Sequence, residues 1–245
     1  MSTQAVAAIG PQIAGVSVSI EVQSNCEQLD KKNEENREKV KEKLEAMDKT
    51  TKEQALTLEK AKEGGMTFSS ISAQLPAATQ TLSAASSGTA QTSHPDGLVV
   101  GGTSEQMMGG NRADREANIP ELKEKAGILC DQYVHPGGGK GAHAEPKLFN
   151  ELTNSLGESA MRGGTVLLNI DWRFFRGGKV QRSGMPCRSC YTMLCHAAQE
   201  CDMDVYICDK DGQAQPLSEN KDDCQSEDGW RKLCKRVDGN LKPGR

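Results

Sequence analysis

Hydrophobic and polar residues are arranged differently in three successive stretches of the chain, and the first is a dense mixture of lysine and glutamate. Between residues 27 and 63, apolar and small positions recur with a 4-3 spacing, which predicts a helix with a heptad seam. Too few heptads are present to distinguish a coiled coil from a solvated amphipathic helix. We interpret residues 1–63 as a helical arm for oligomerisation or partner binding. The seam consists of Val40, Leu44, Met47, Thr51, Gln54, Leu58 and Ala61.

The second stretch, residues 64–110, is rich in serine, threonine, alanine, glutamine and glycine, and its two charged residues are Asp96 and Glu105. Such a segment has little apolar surface to offset the entropy that is lost on ordering. The composition therefore predicts a flexible linker between the arm and the remainder of the chain.

In the third stretch, residues 111–245, short apolar runs alternate with segments of helical periodicity. Apolar runs bounded by glycine or charged residues are typical of buried strands, whereas spacings of three and four predict amphipathic helices. Alternating strands and helices favour a layered α/β sandwich. The predicted strands are 127–134, 165–170 and 204–208, and the predicted helices begin near Pro146, near Cys187 and at Asp228.

The composition of the whole chain limits the classes of protein to consider. Of its 245 residues, 36% are hydrophobic and 4% aromatic, which is low for one continuous core. The net charge of −4 argues against a strongly basic nucleic-acid-binding protein, although it permits local basic patches. No apolar run is long enough to predict a membrane span, and the N-terminus does not show the pattern of a Sec signal.

The chain contains nine cysteines, and an odd number leaves at least one thiol outside any set of intramolecular disulfides. The two that lie closest in sequence are Cys187 and Cys190, within a P-C-x-x-C motif. We interpret the cysteines as reduced, with these two bound to a metal.

The strongest chemical signal is a split pair of motifs, H-A-E at 143–145 and P-C-R-S-C at 186–190. The imidazole of His143 and the thiolates of Cys187 and Cys190 suit a tetrahedral Zn²⁺ whose fourth position is open for water. A three-residue step at the start of a helix puts both sulfur atoms on one side of the turn, where the helix dipole favours thiolate. Glu145 is then placed to transfer protons rather than to bind the metal.

A closed structural zinc site is the alternative, and it requires a fourth protein ligand. Four residues that follow the P-C-x-x-C motif are candidates, but their spacing fits buried helix and strand positions better than ligand positions. They are Cys195, His196, Cys201 and Cys208.

The segment between the two motifs combines cations with aromatic rings. Cations contact phosphates and rings stack on bases, as binding of single-stranded nucleic acid requires. Because the segment leads directly into the Cys187 helix, we expect it to border the pocket. In the alternative interpretation, the aromatic residues complete a buried strand and the charges solvate a hairpin. The candidate substrate-binding residues are Trp172, Arg173, Phe175, Arg176, Arg182 and Arg188.

The stretch from about residue 120 to 210 resembles the zinc-dependent cytidine deaminase-like superfamily, through GAHAEPKLFNEL, GGTVLLNI, GMPCRSCYTMLCHAA and DVYICD in that order. The resemblance implies a three-layer sandwich in which helices flank a central mixed sheet. It implies that His143, Cys187 and Cys190 bind zinc and that Glu145 is the catalytic acid and base. The implied reaction is hydrolytic deamination of a nucleobase, with cytosine favoured over adenine.

A C-terminal domain at 111–245 behind a linker and an arm looks like the architecture of bacterial toxin or effector deaminases. This resemblance implies delivery into a target cell without a Sec signal, with a cytoplasmic protein as the alternative. The expected substrate is single-stranded DNA, duplex DNA or RNA, and an immunity, delivery or chaperone protein would bind the arm. A deaminase of free nucleosides or nucleotides and a non-catalytic zinc-stabilised binding module are the alternative functions.

Overall fold

A mixed sheet of six strands forms the middle layer of the fold. The structure is a computed structural model that describes residues 12–46, 67–76, 78–85, 143–156 and 161–239. Its elements are α1 Gln12–Ala46, β1 Thr67–Leu75, β2 Ala78–Ala85, α2 Ala144–Leu156, β3 Thr165–Arg176, β4 Lys179–Ser183, α3 Arg188–Glu200, β5 Asp204–Cys208, β6 Ala214–Pro216 and α4 Glu227–Asp238, with a short 3₁₀ helix at Lys221–Asp223.

The strand order is β2-β1-β3-β5-β6, and β4 pairs with the last part of β3. β3 and β5 run parallel, and the other pairs are antiparallel. Helix α1 covers one face of this sheet, whereas α2, α3 and α4 contribute to the main core on the other. The predicted α/β class is therefore confirmed as a mixed open sheet flanked by helices.

β3 is the central strand, and its side chains alternate between the two faces of the sheet. One set lies in the main core with α2, α3 and α4, while Leu167 on the other face packs with Leu29 of α1. The strand predicted at 165–170 is confirmed and continues to Arg176. The residues of β3 in the main core are Val166, Leu168 and Ile170.

The two helices that carry the motifs bury the faces that their periodicity predicted. Leu148, Phe149 and Leu152 of α2 are buried, as are Tyr191 and Leu194 of α3. The strand predicted at 204–208 and the last predicted helix are also present, as β5 and α4. The strand predicted at 127–134 lies outside the described residues.

The structure differs from the flexible linker predicted for 64–110, because β1 and β2 lie within that range. β1 pairs along its length with both β2 and β3, so the sheet supplies the burial that the composition of this segment lacks. Its hydroxyl groups also find partners in the fold. The Ser70 hydroxyl donates a 2.7 Å hydrogen bond to Asn33 Oδ1, and the Ser69 hydroxyl donates a 3.2 Å bond to the Asn169 carbonyl. One sheet therefore takes strands from both sides of the boundary that was predicted at residue 111.

The helix expected in the N-terminal arm is present, but α1 is packed on the sheet rather than held apart from it. Its buried face consists of residues at the three- and four-residue spacings of a helix, which include Cys26, Leu29, Asn33, Arg37 and Val40. The side chain of Asn33 is also buried there and donates to the carbonyl and side-chain oxygens of Asn169, at 3.0 and 2.9 Å. The seam positions beyond residue 46 lie outside the described residues.

The interpretation that the cysteines are reduced is wrong for five of them. Disulfides join Cys26 to Cys208 and Cys195 to Cys224, and Cys201 is also disulfide-bonded. The first of these covalently links α1 to β5 across a sequence separation of 182 residues. Spacing along the chain could not reveal this pairing, because the fold alone brings the two thiols together. Among the helices of the described residues, none is long and apolar enough to cross a membrane.

Candidate metal centre

Three side chains from two helix starts converge on one point. His143 directly precedes α2, Cys187 is the N-cap residue of α3, and Cys190 lies in the first turn of α3. The Nδ1 atom of His143 is 3.4 Å from each of the two sulfur atoms, and the sulfur atoms are 3.5 Å apart. The structure thus brings together all three of the predicted zinc ligands.

The size of this triangle agrees with a tetrahedral zinc site. Zn–S bonds of about 2.3 Å and Zn–N bonds of about 2.0 Å at tetrahedral angles separate the ligand atoms by roughly 3.5 to 3.8 Å. The observed distances of 3.4 to 3.5 Å are close to those of one face of such a tetrahedron. Thiolate sulfur and imidazole nitrogen are also donors that zinc prefers, so this group could hold a metal ion compatible with zinc.

Local sequence explains why both helices begin at the site. Pro146 occupies the first turn of α2, where its missing N–H group would have no partner in the helix. At α3, Cys187 has extended backbone angles, φ −65° and ψ 165°, and its carbonyl accepts the first helical hydrogen bond from Tyr191 at 2.8 Å. The helix therefore begins at the residue that supplies the first sulfur, and the second sulfur follows one turn later.

The ionisation of the three groups is unequal. A hydrogen bond from Cys190 and the neighbouring His143 lower the pKa of the Cys187 thiol to about 3, whereas burial raises the pKa of the Cys190 thiol. Burial lowers the pKa of His143, but its hydrogen bond to Cys187 and the negative charge there outweigh burial and raise it. Both shifts favour a thiolate at Cys187 beside a protonated His143, and a metal cation could take the place of that proton.

Glu145 lies in the first turn of α2 with only 3% of its surface exposed. Burial, followed by the negative charge of Cys187, raises the pKa of its carboxyl group to about 7, although His143 opposes the shift. The carboxyl group also interacts directly with the Cys190 thiol. A buried carboxyl group with a raised pKa is therefore held against the ligand triangle.

The candidates for a fourth protein ligand are not available in the described part of the chain. Cys195, Cys201 and Cys208 are all disulfide-bonded, and His196 is not a member of the ligand group. Within the described residues, the group has three protein ligands, and a closed structural site would need a fourth.

Two of the predicted substrate-binding arginines face α1 instead of the metal centre. Arg173 and Arg182 are directly paired across β3 and β4, on the sheet face that α1 covers. Arg173 forms an ion pair with Glu34, and Arg182 forms one with Asp30. Both also contact the buried carboxylate of Asp171, at 3.0 and 2.9 Å respectively. The expectation that these two arginines border the pocket is therefore wrong.

Trp172 projects to the opposite face of the sheet from Arg173, because side chains alternate along a strand. Its ring lies 4.9 Å from that of Phe174, two residues further along the same face. Trp172 is paired with Ser183, so it lies near the end of β4 that leads into Cys187. Phe174 belongs to the predicted aromatic segment but was not among the candidate substrate-binding residues, although its two-residue spacing from Trp172 places both rings on one face.

The other candidate residues have mixed outcomes. Arg188, which follows Cys187, forms an ion pair with Glu227 and stacks on Trp230 with its guanidinium carbon 4.6 Å from the ring centre. Arg176 is exposed at the turn between β3 and β4. The side chain of Phe175 lies outside what the structure describes.

Comparison of the chain with protein-family models, curated proteins and solved structures finds no match.

Proposed function

We propose that this protein is a zinc-dependent deaminase that hydrolyses the exocyclic amine of a nucleobase, with cytosine favoured. The observation that carries the proposal is the triangle of His143, Cys187 and Cys190, 3.4 to 3.5 Å on each side, with the buried carboxyl group of Glu145 next to it. Three protein ligands and an adjacent acid are what hydrolysis by a metal-bound water requires, whereas a structural zinc site has four protein ligands.

The chain's own residues divide the work of this reaction. Zinc, when bound, supplies a water molecule whose pKa is lowered to about 7. His143, Cys187 and Cys190 would hold the ion. Glu145 would accept a proton from the attacking water and deliver it to the ring nitrogen. It would then accept the second proton of that water and pass it to the departing amine, which leaves as ammonia. The products are the deaminated base and ammonia.

The order of elements around the site also supports the deaminase-like sandwich as the proposed fold. Helix α2 begins directly after His143 and carries Glu145, and central strand β3 follows. Helix α3 begins at its N-cap Cys187 and carries Cys190, and β5 returns parallel to β3. Helix α3 lies in the connection between the parallel strands β3 and β5, and it packs in the same core as α2.

The substrate that we favour is a base within a polynucleotide, contacted by the aromatic residues on the face of the metal centre. Trp172 and Phe174 offer rings on which bases could stack, and Arg176 is an exposed cation that could contact a phosphate. Arg188 is engaged by Glu227 and Trp230, so it would have to exchange its ion pair to contact a phosphate. The alternative substrate is a free nucleoside or nucleotide. The ion pairs of Arg173 and Arg182 with α1 favour it, because they remove two cations from the expected phosphate contacts.

Supplying each class of substrate to the same zinc-loaded protein tests the function. The full chain would be incubated with single-stranded DNA, duplex DNA, RNA and free nucleosides, and the products digested to nucleosides and quantified by mass spectrometry together with released ammonia. We expect uracil-containing products from a polynucleotide, and none from protein stripped of zinc. Deamination of monomers alone would favour the second substrate class, and no product from any substrate would refute the proposal.

The disulfides support the proposal that the protein works as an exported effector. Stable disulfides form in oxidising compartments and are rare in cytosolic proteins, which makes the cytoplasmic alternative less favourable. A delivery or immunity protein would meet the exposed side of α1, since its other side is buried on the sheet. We expect the protein to be found in the medium around the cells that produce it, and we expect the Cys26–Cys208 disulfide to be formed in that exported protein.

A further inference from the structure

The two cysteines of the metal centre are close together but are not joined. Five of the described cysteines are disulfide-bonded, and Cys187, Cys190 and Cys234 are not. The sulfur atoms of Cys187 and Cys190 are only 3.5 Å apart. A disulfide bond has a length of about 2.05 Å, so the two sulfur atoms need to approach by roughly 1.5 Å. An oxidant that forms the other disulfides would also be expected to join Cys187 to Cys190, unless a bound metal ion protects the two sulfur atoms.

We infer that Cys187 and Cys190 are a modification site, and that they form a disulfide whenever the chain meets a disulfide oxidant without its metal. The inference rests on the metal centre of the proposed function but not on the deamination reaction. If the inference is correct, the protein has to bind its metal before it meets the oxidant, because a Cys187–Cys190 disulfide removes two of the three ligands.

The exposure of the two thiols sets the order of the chemistry. Cys187 is exposed and Cys190 is buried, so an oxidant such as oxidised glutathione meets Cys187 first. The Cys187 thiolate attacks one sulfur of the oxidant, whose S–S bond breaks and releases one glutathione thiolate. Cys190 loses its proton to solvent and its thiolate displaces the second glutathione. In balance, two cysteine thiols are oxidised and one oxidised glutathione is reduced to two thiols.

A bound zinc ion would block this sequence at its first step. The sulfur electrons that attack the oxidant are shared with the metal, and the attacking thiolate is no longer the nucleophile that an unbound thiolate would be. The remaining disulfides are unaffected, since their sulfur atoms do not belong to the metal centre.

A peptide map under non-reducing conditions reads the modification directly. Trypsin cleaves after Arg188, between the two cysteines, so a Cys187–Cys190 disulfide links peptide 183–188 to peptide 189–210. The disulfides of Cys195, Cys201 and Cys208 already join peptide 189–210 to other peptides, so the readout is whether peptide 183–188 is released or belongs to that linked set. The full chain, with zinc or stripped of it by a chelator, would be treated with oxidised glutathione, capped with N-ethylmaleimide and digested. We expect the linked peptides from the stripped protein, and capped Cys187 in peptide 183–188 from the zinc-loaded protein.

Single substitutions serve as matched controls. Cys190→Ser is expected to stop at a glutathione adduct on the exposed Cys187, whereas Cys187→Ser is expected to leave the buried Cys190 as a thiol. Oxidised protein should also fail to take up zinc, measured with a metal-sensitive dye, until a reductant is added.

Two results would overturn the inference: stripped protein whose Cys187 stays capped after oxidation, or zinc-loaded protein that forms the link at the same rate. The Glu145→Gln variant separates this test from that of the function, because it retains all three ligands and is expected to give the same peptide map. A chain without deaminase activity that still shows zinc-dependent protection would leave the inference standing. An active deaminase without the link would overturn the inference alone.

Discussion

At the residue scale, the chemistry depends on Glu145 and its position relative to the ligands. It lies two residues after His143, in the first turn of α2, so the helix that delivers the imidazole also delivers the carboxyl group. Its burial keeps solvent from competing for the protons that it would transfer. The residue is thus part of the site without being one of the three members of the ligand group.

Replacing Glu145 with glutamine retains the size of the side chain and removes its ability to accept a proton. We expect turnover to fall by about 10²- to 10⁴-fold, the usual contribution of a general acid or base, while zinc content stays unchanged. Ammonia release and metal analysis on the same preparation measure both. Glu35→Gln, on the exposed side of α1, is the control and should retain full turnover. If Glu145→Gln is as active as the unaltered chain, the assigned role is incorrect.

At the element scale, α1 is held on the sheet largely by polar groups. Arg37 is 1% exposed, its guanidinium lies 2.6 Å from the carboxylate of Asp171, and it stacks on Phe68 at 4.2 Å from the ring centre. Two further arginines from β3 and β4 surround the same carboxylate. Burying charges is costly unless they are paired, so the contact strongly specifies the position at which α1 docks.

Asp171→Leu is expected to lower the free energy of unfolding by about 3 to 5 kcal/mol, because it leaves the buried Arg37 without a carboxylate. Adding Arg37→Met should recover most of that loss, since an apolar pair can replace a buried ion pair. Chemical denaturation followed by circular dichroism measures both variants.

The exposed pair of Lys41 and Glu38, 2.6 Å apart, provides the comparison. Glu38→Gln should cost at most about 1 kcal/mol, as is usual for surface pairs. A loss of the same small size in Asp171→Leu would show that the buried pair does not hold α1 in place.

At the scale of the whole molecule, the described elements form one unit around one sheet. α1, β1 and β2 come from before residue 86, yet β1 lies directly beside the central strand, and a disulfide joins α1 to β5. The groups of the candidate metal centre therefore depend on the N-terminal elements for their scaffold. A boundary at residue 111 would cut through the sheet.

Expression of residues 111–245 alone is expected to give insoluble or unfolded protein. Removing β1 exposes an edge of β3, and removing α1 uncovers Leu167 and the buried charge of Asp171. Solubility, gel filtration and circular dichroism of the fragment, compared with the full chain, measure the effect. A soluble monomeric fragment with cooperative unfolding and bound zinc would contradict this account of the scaffold.

The sequence by itself determined those features that depend on neighbouring residues. The candidate metal ligands lie at helix starts marked by Pro146 and Pro186, and the three-residue step from Cys187 to Cys190 follows from helix geometry. The buried strand at 165–170 could also be predicted from the sequence, because an apolar run without alternating polar residues is typical of a strand that is buried on both faces. These predictions used information carried within a few residues of each position.

Only the tertiary structure decided the features that depend on distant partners. β1 is ordered by the strands on either side of it, although its own composition resembles that of a linker. Arg173 and Arg182 are turned from the metal centre because acids of α1, more than 130 residues earlier, lie on the other face of the sheet. The packing of α1 on the sheet also brings Cys26 next to Cys208, with which it forms a disulfide. Local periodicity specifies which face of an element is buried, whereas the identity of the group that covers it is a property of the assembled fold.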